Sequence, residues 1–214
     1  RNHSSAASDV YKRQIMTKAF EIELPDSYSE LIETLDAANK ILTTAVDDAR
    51  TLFHTPVVSS YDGKTISSRV MVLREFNLEN RKMRFHTDQR ATKINEFSSL
   101  SSATVIGYDP NLKIQIKLQG TVTTHHDDEV TKDAWNESTS RSKKCYSVKG
   151  GSSKVIDDPA SYDIKEFNVE DGYQNFAVLV FNFDALEFLF LKSTGHRRAI
   201  HKWNKDLKSS WLVP

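Results

Sequence analysis

The sequence predicts a mainly β protein, an antiparallel β-barrel with helical additions. Three observations carry the prediction. Short segments of strand character recur along the chain, among them TISSRVMVLRE, KMRFHT, ATVIGY and LKIQIKLQGTVT. Turn signals separate them, above all Asp62-Gly63 between two extended runs, a strong hairpin signature. Helical periodicity is confined to a few segments, the longest of them near the N-terminus. Many short antiparallel strands must protect their edges, and closing into a barrel does so.

In chain order, residues 1–15 come first. They start without methionine, are serine-rich and basic, and lack apolar periodicity. They resemble an organelle transit peptide and, more closely, translated adapter sequence. Met16 is the expected native start and 16–214 the expected single domain. Ser27 to Asp47 is expected to be a helix. Ser27 and Ser29 can cap it, and Leu31, Ile32, Leu35, Ala38, Ile41, Leu42 and Ala45 fall at three- and four-residue spacings. Extended runs follow at Thr51–Ser60, Thr65–Glu75 and Lys82–Thr87, then a short helix at Ala91–Phe97. Strands are expected at Ala103–Tyr108 and Leu112–Thr123, and a helix at Asp127–Glu137 capped by Asp127. Arg141 to Lys154, polar and carrying Gly150-Gly151-Ser152-Ser153, is expected to be a mobile loop. Three last strands are expected at Ala177–Phe183, Ala185–Lys192 and His196–Trp203.

Composition narrows the function. Of 214 residues 27% are charged and 38% hydrophobic, an ordinary globular balance. Lys plus Arg and Asp plus Glu both number 29, so nothing global draws the chain to nucleic acid or an anionic membrane. The longest apolar run, Phe176 to Phe183, has the length of a strand and not of a membrane span. Cys145 is the single cysteine; it can form no internal disulfide, and a reducing, cytoplasmic setting is expected. The His125-His126 pair has no carboxylate or cysteine spacing for a metal, so no metal site is expected. Arg81-Lys82 and Lys143-Lys144 read as surface charge, and Trp203 and Trp211 as packing residues. No Gly-x-Gly-x-x-Gly and no Ser–His–Asp arrangement stands out, and no catalytic residue is assigned.

Two segments carry chemistry. In Ser68-Arg69-Val70-Met71-Val72-Leu73-Arg74, strand alternation turns Arg69, Met71 and Leu73 one way and Val70, Val72 and Arg74 the other. A buried Arg69 calls for an anion. In Phe85-His86-Thr87-Asp88-Gln89-Arg90-Ala91-Thr92-Lys93, a strand gives way to a helix N-terminus, where free amides, hydroxyls and the Lys93 ammonium favour a phosphate.

Taken in order, these segments resemble the FMN site of the pyridoxamine 5'-phosphate oxidase-like family. The likeness continues through Gln115-x-x-x-Gln119-Gly120, Leu186-Glu187-Phe188, Gly195-His196-Arg197-Arg198 and the final Leu212-Val213-Pro214, and so spans roughly residues 53–214. The resemblance implies a Greek-key split β-barrel. It also implies a homodimer with FMN at the interface and hydride transfer from a small-molecule substrate. It implies that Arg69 and Lys93 bind the FMN phosphate. Val70, Met71, Val72, Leu73 and Arg74 would line the flavin, partly through backbone groups. His86, Thr87 and Thr92 would lie along the ribityl-phosphate, and Gln115 would hydrogen-bond the ring. Arg74, Arg141, His196 and Arg197 are the substrate-side candidates, the last two where a second subunit reaches the flavin. The sequence departs from the family at Thr92, where the family has an arginine that Arg90 could replace. It departs again at Leu189 in place of a tryptophan and at Ala199 in place of a histidine. The alternative is a split barrel that holds flavin or haem without turnover.

Overall fold

The computed structural model describes residues 21–163, 168 and 170–214, so the expectations for residues 1–15 lie outside the described residues. The N-terminal helix, α1 (Leu31–Asp47), starts later than the serines suggested. Neither serine side chain caps it. Instead the Glu33 carboxylate reaches back to accept the N–H groups of Ser29 and Glu30, at 2.8 and 3.0 Å. Leu35, Ala38, Ile41, Leu42 and Ala45 face the sheet and are buried.

Among the described residues nine strands form one antiparallel sheet. They are β1 (Val57–Tyr61), β2 (Ile66–Val70), β3 (Leu73–Asn77), β4 (Lys82–Asp88), β5 (Ser102–Asp109), β6 (Ile114–His125), β7 (Phe176–Phe190), β8 (Arg197–Trp203) and β9 (Leu207–Leu212). The order is β2-β1-β5-β6-β7-β4-β3, with β8 and β9 added beside β7. One edge of β7 carries β6 along nearly its whole length. Its other edge is shared, with β4 opposite residues 176–182 and β8 opposite residues 185–190. This is a split barrel, mainly β with a few helices.

The expected strand Thr65–Glu75 is therefore two strands. β2 and β3 stand at opposite ends of the sheet order, joined only by Met71-Val72. Met71 N–H donates to Pro56 C=O at 3.0 Å, which turns the chain off β2. Side-chain alternation continues through the break. Met71 and Leu73 are buried at 7% and 0% exposure, while Val70 is 63% exposed. The two-residue link draws the two ends of the sheet together and leaves a seam between them.

The C-terminal strands need the opposite correction. Two of the expected strands are one continuous β7. Asp184, which read as a break, is an extra residue, since Phe183 pairs with Gly120 and Ala185 with Gln119. The bulge brings the chains so close that a Cβ on Gly120 would lie 2.0 Å from Asn182 O. The exposed β9 (LKSSWL) lacks apolar alternation and was not expected.

The remaining helices are α2 (Thr92–Ser99), α3 (Glu129–Glu137) and α4 (Ser140–Lys144). The cap of α3 is Asp128, not Asp127, because Asp128 Oδ1 accepts Thr131 N–H at 2.9 Å. The segment expected to be a loop opens with α4 and a 3-10 turn, Cys145–Ser147. The core fills the barrel with Phe53, Phe85, Phe181, Phe183 and Phe188 against the buried face of α1. Trp203 packs on it, 5.6 Å from Phe183, whereas Trp211 is 40% exposed. Among the described residues no helix is long and apolar enough to cross a membrane.

Candidate functional site

The seam opens into a cavity of about 420 Å³, within the range of small-molecule sites. The seam itself contributes Arg69, Val70, Met71, Val72 and Arg74, β4 contributes His86 and Thr87, and α2 contributes Lys93. Arg141, Ser142, Cys145 and Tyr146 close it from the segment after α3. Residues far apart in sequence meet here because β2 and β3 are forced together while β4 runs beside β3.

Four cations border the cavity, and among the described residues only Arg69 forms a salt bridge. Its Nη2 lies 2.6 Å from Glu96 Oε2, and its Nη1 donates to Ser60 Oγ at 2.7 Å. Lys93 Nζ donates to Thr87 Oγ1 at 3.2 Å. Burial, followed by the nearby Arg69, lowers the Lys93 pKa. Arg74 Nε and His86 Nε2 are buried without a hydrogen-bond partner. Burial first, then Arg74 and Arg84, hold the His86 pKa down to about 3, so the ring is neutral. An unpaired buried polar group costs about 1–3 kcal/mol, and two on the lining of one cavity suit a polar ligand. Beside them α2 starts without a side-chain cap and with no acidic residue in its first turn. Its first amides add to a field that favours an anion.

Not every expected residue is here. Leu73 is fully buried in the core, and Thr92 is exposed on α2 away from the cavity lining. Arg90, the expected substitute for the family's arginine, pairs with Asp88 at 2.7 Å, donates to Val148 O and does not line the cavity. Gln115 pairs with Leu189, whereas His86 pairs with Val178. Those two β7 positions are eleven residues apart, roughly 35 Å of strand. His196 and Arg197 lie at the Gln115 end, on a separate depression with Ser29, Arg198 and Trp211. Arg198 is bound to Glu187 at 2.6 Å, and Ala199 is fully buried. The chain thus holds the Arg69–Lys93 half of the expected site in one place and the Gln115–Arg197 half in another.

The register puts Tyr108, Gln115, Leu189, Arg198 and Leu212 in one row across β5 to β9. Directly paired residues share a face. The same face carries Ile66 at 75% exposure, Val70 at 63% and Tyr108 at 43%. The face is mixed, with these exposed apolar side chains set among Ser68, Lys117, Glu187 and Arg198. Exposed apolar groups rimmed by polar residues are the kind of surface that marks an interaction site.

Sequence reasoning missed Glu96, Ser142, Cys145 and Tyr146. Glu96 follows Lys93 by three residues, which puts both on one side of a helix. The others come from a segment whose polar composition gave no structural signal.

Residues 36–126 match the family described as pyridoxamine 5'-phosphate oxidase, FMN-binding domain. The match covers the seam, β4, α2 and Gln115, but not Arg141, His196 or Arg197. No curated protein matches the chain in sequence. Among solved structures, a pyridoxamine 5'-phosphate oxidase-related, FMN binding protein from Nostoc punctiforme is similar at TM-score 0.68 and 17% identity. That likeness covers 88% of this chain and all of the other. PhzG from Burkholderia lata, solved with tetrahydrophenazine-1-carboxylic acid, is similar at TM-score 0.66 and 18% identity. It covers 92% of this chain and all of PhzG. At these identities the likeness establishes the fold.

Proposed function

We propose that this chain, a pyridoxamine 5'-phosphate oxidase-like split-barrel protein by the match over residues 36–126 and by its fold, binds FMN and acts as an oxidoreductase on a small substrate. The observation that carries the reading is the seam cavity, with three cations outside any salt bridge, two partnerless buried nitrogens and an uncapped helix N-terminus, all but Arg141 inside the matched residues. Lys93, the remaining N–H groups of Arg69 and the α2 amides would hold the phosphate. Arg74 Nε and His86 Nε2 would gain partners from the polar part of the flavin. FMN, when bound, supplies two-electron redox chemistry. The chain's part is to bind, orient and exclude water, and no acid–base pair is required of it.

The flavin would sit between two copies. Gln115, His196 and Arg197 are too far along the sheet to reach the cavity of their own protomer, so a second copy would bring them. Two-fold symmetry makes such an exchange reciprocal. The sheet face that exposes Tyr108, Val70 and Ile66 is the surface that would pair. Arg74 and Arg141, both on the cavity wall, are the substrate-side cations that one chain supplies alone.

The test is direct. The purified protein, given FMN, should show bound-flavin absorption and scatter light as a dimer at micromolar concentration. A protein that stays colourless, or a monomer that still holds FMN, would refute the respective part. With no donor at Ala199 and with Arg198 tied to Glu187, oxidation of pyridoxine or pyridoxamine phosphate should be inefficient. Oxygen uptake at or above about 10⁴ M⁻¹s⁻¹ in kcat/KM, the ordinary enzyme range, would overturn that expectation.

A further inference from the structure

Arg69 meets the cavity already engaged. A guanidinium has five N–H donors. Three are taken, by Val58 O at 3.4 Å, Ser60 Oγ at 2.7 Å and Glu96 Oε2 at 2.6 Å. Ser60 Oγ also donates to Glu96 Oε2, which closes a ring of three side chains from β1, β2 and α2. Arg69 borders the cavity and Glu96 does not, so the carboxylate stands behind the guanidinium as a ligand would see it. Arg74, Lys93 and Arg141 form no salt bridge among the described residues, although Glu96 and Asp88 also act on Lys93 at longer range.

We propose that Glu96 sets how strongly this cavity prefers a phosphorylated ligand, because it positions the Arg69 guanidinium while cancelling its charge. Two N–H groups of Arg69 stay available for hydrogen bonds, but an anion there meets a neutral pair. Net attraction at this end of the cavity then falls to Lys93 and the α2 amides. Burial works against an ionised Glu96, yet hydrogen bonds from Ser60 and Arg69 outweigh it and keep the carboxylate charged. At an effective dielectric near 20, one unit charge roughly 10 Å from a phosphate, on the far side of a guanidinium, changes affinity on the order of tenfold. The identity of the ligand rests on the flavin reading. The effect on anions does not.

The experiment titrates wild type and Glu96→Gln with FMN, riboflavin and inorganic phosphate. Glutamine keeps an oxygen for Arg69 and removes the charge. FMN and inorganic phosphate should each bind E96Q about tenfold more tightly than wild type, with riboflavin unchanged. Glu96→Ala, which leaves Arg69 on Ser60 and Val58, should also tighten phosphate and serves if E96Q does not fold. Equal or weaker FMN binding by E96Q, or riboflavin tightened as much as FMN, overturns the inference and leaves the flavin reading intact. If wild type takes neither flavin, the flavin reading falls and phosphate alone decides. The tenfold gain must then still appear, and equal or undetectable phosphate binding in all forms sinks the role of Glu96.

Discussion

Among the described residues two histidines have a depressed pKa, a half-buried one at the seam and a buried one beneath α1, and they are set up in opposite ways. His201 on β8 has no exposed surface. Its Nε2 lies 2.9 Å from Thr34 Oγ1 and its Nδ1 lies 2.8 Å from Ser209 Oγ. Thr34 spends its own hydroxyl proton on Leu31 O, so it accepts from Nε2–H, and Ser209 then donates to Nδ1. Burial lowers this pKa to about 4. His86 has a pKa lowered further, to about 3, yet its Nε2 has no partner. A depressed pKa is common to both, and burial is its largest cause in each. The partnerless nitrogen separates a ring that ties α1 to β8 from a ring on the wall of a cavity.

The largest effect that tests this comparison is on acid stability. Both folded pKa values lie below the ordinary 6.5, so both rings contribute stability that is complete above about pH 6.5. That contribution is lost as pH falls toward 4 for His201 and toward 3 for His86. For His201 the loss is about 3 kcal/mol. Urea unfolding across this range should show stability falling with pH. A flat profile between pH 7 and 4.5 would mean that neither ring is held neutral.

Lys93→Ala and Arg69→Ala should each weaken FMN binding by about ten- to a hundredfold, from the loss of a charged hydrogen bond. Lys93→Ala should leave the unfolding midpoint nearly unchanged. Arg69→Ala should also lower it, since Glu96 loses its cation. Unaltered FMN affinity in both variants would place the phosphate elsewhere.

Thr34→Val should leave His201 Nε2–H unsatisfied and cost about 1–3 kcal/mol. At roughly 2–4 °C per kcal/mol for a chain of this size, the melting temperature should drop by several degrees, with no change in flavin affinity. The smallest effect belongs to His86→Leu, and its sign is reversed. Removing an unpaired buried nitrogen should hold or raise stability, while FMN affinity falls about three- to tenfold. A His86→Leu protein destabilised as much as Thr34→Val would erase the distinction between the two sites.

The cavity was largely legible in sequence because its walls are local. Residues 69–74 and 86–93 are two short segments, each with its own chemical signature. The barrel was legible for the same reason, since alternation along Leu112–Thr123 and the Asp62-Gly63 turn are local signals. What stayed hidden depends on partners. The break at Met71 leaves side-chain alternation intact and changes only which strand accepts the hydrogen bonds. Asp184 reads as a turn residue until Gly120 is placed opposite it. The distance between Gln115 and the cavity is a matter of register, which no single segment encodes. Glu96 was visible beside Lys93, but its pairing with Arg69 spans 27 positions.

The position of β7 also governs the order in which this protein can be made. Before β7 is available, the earlier strands can form two separate sub-sheets, β2-β1-β5-β6 and the β3–β4 hairpin. β7 joins them, and it is complete only at residue 190. A nascent chain shorter than that carries the open edges of β4 and β6 with nothing to cover them, a state prone to wrong pairing. Contacts between β4 and β7 span close to a hundred residues, so closure carries a large loop entropy and is slow. The seam cavity, which needs β2 and β3 held together, is therefore a late product of synthesis.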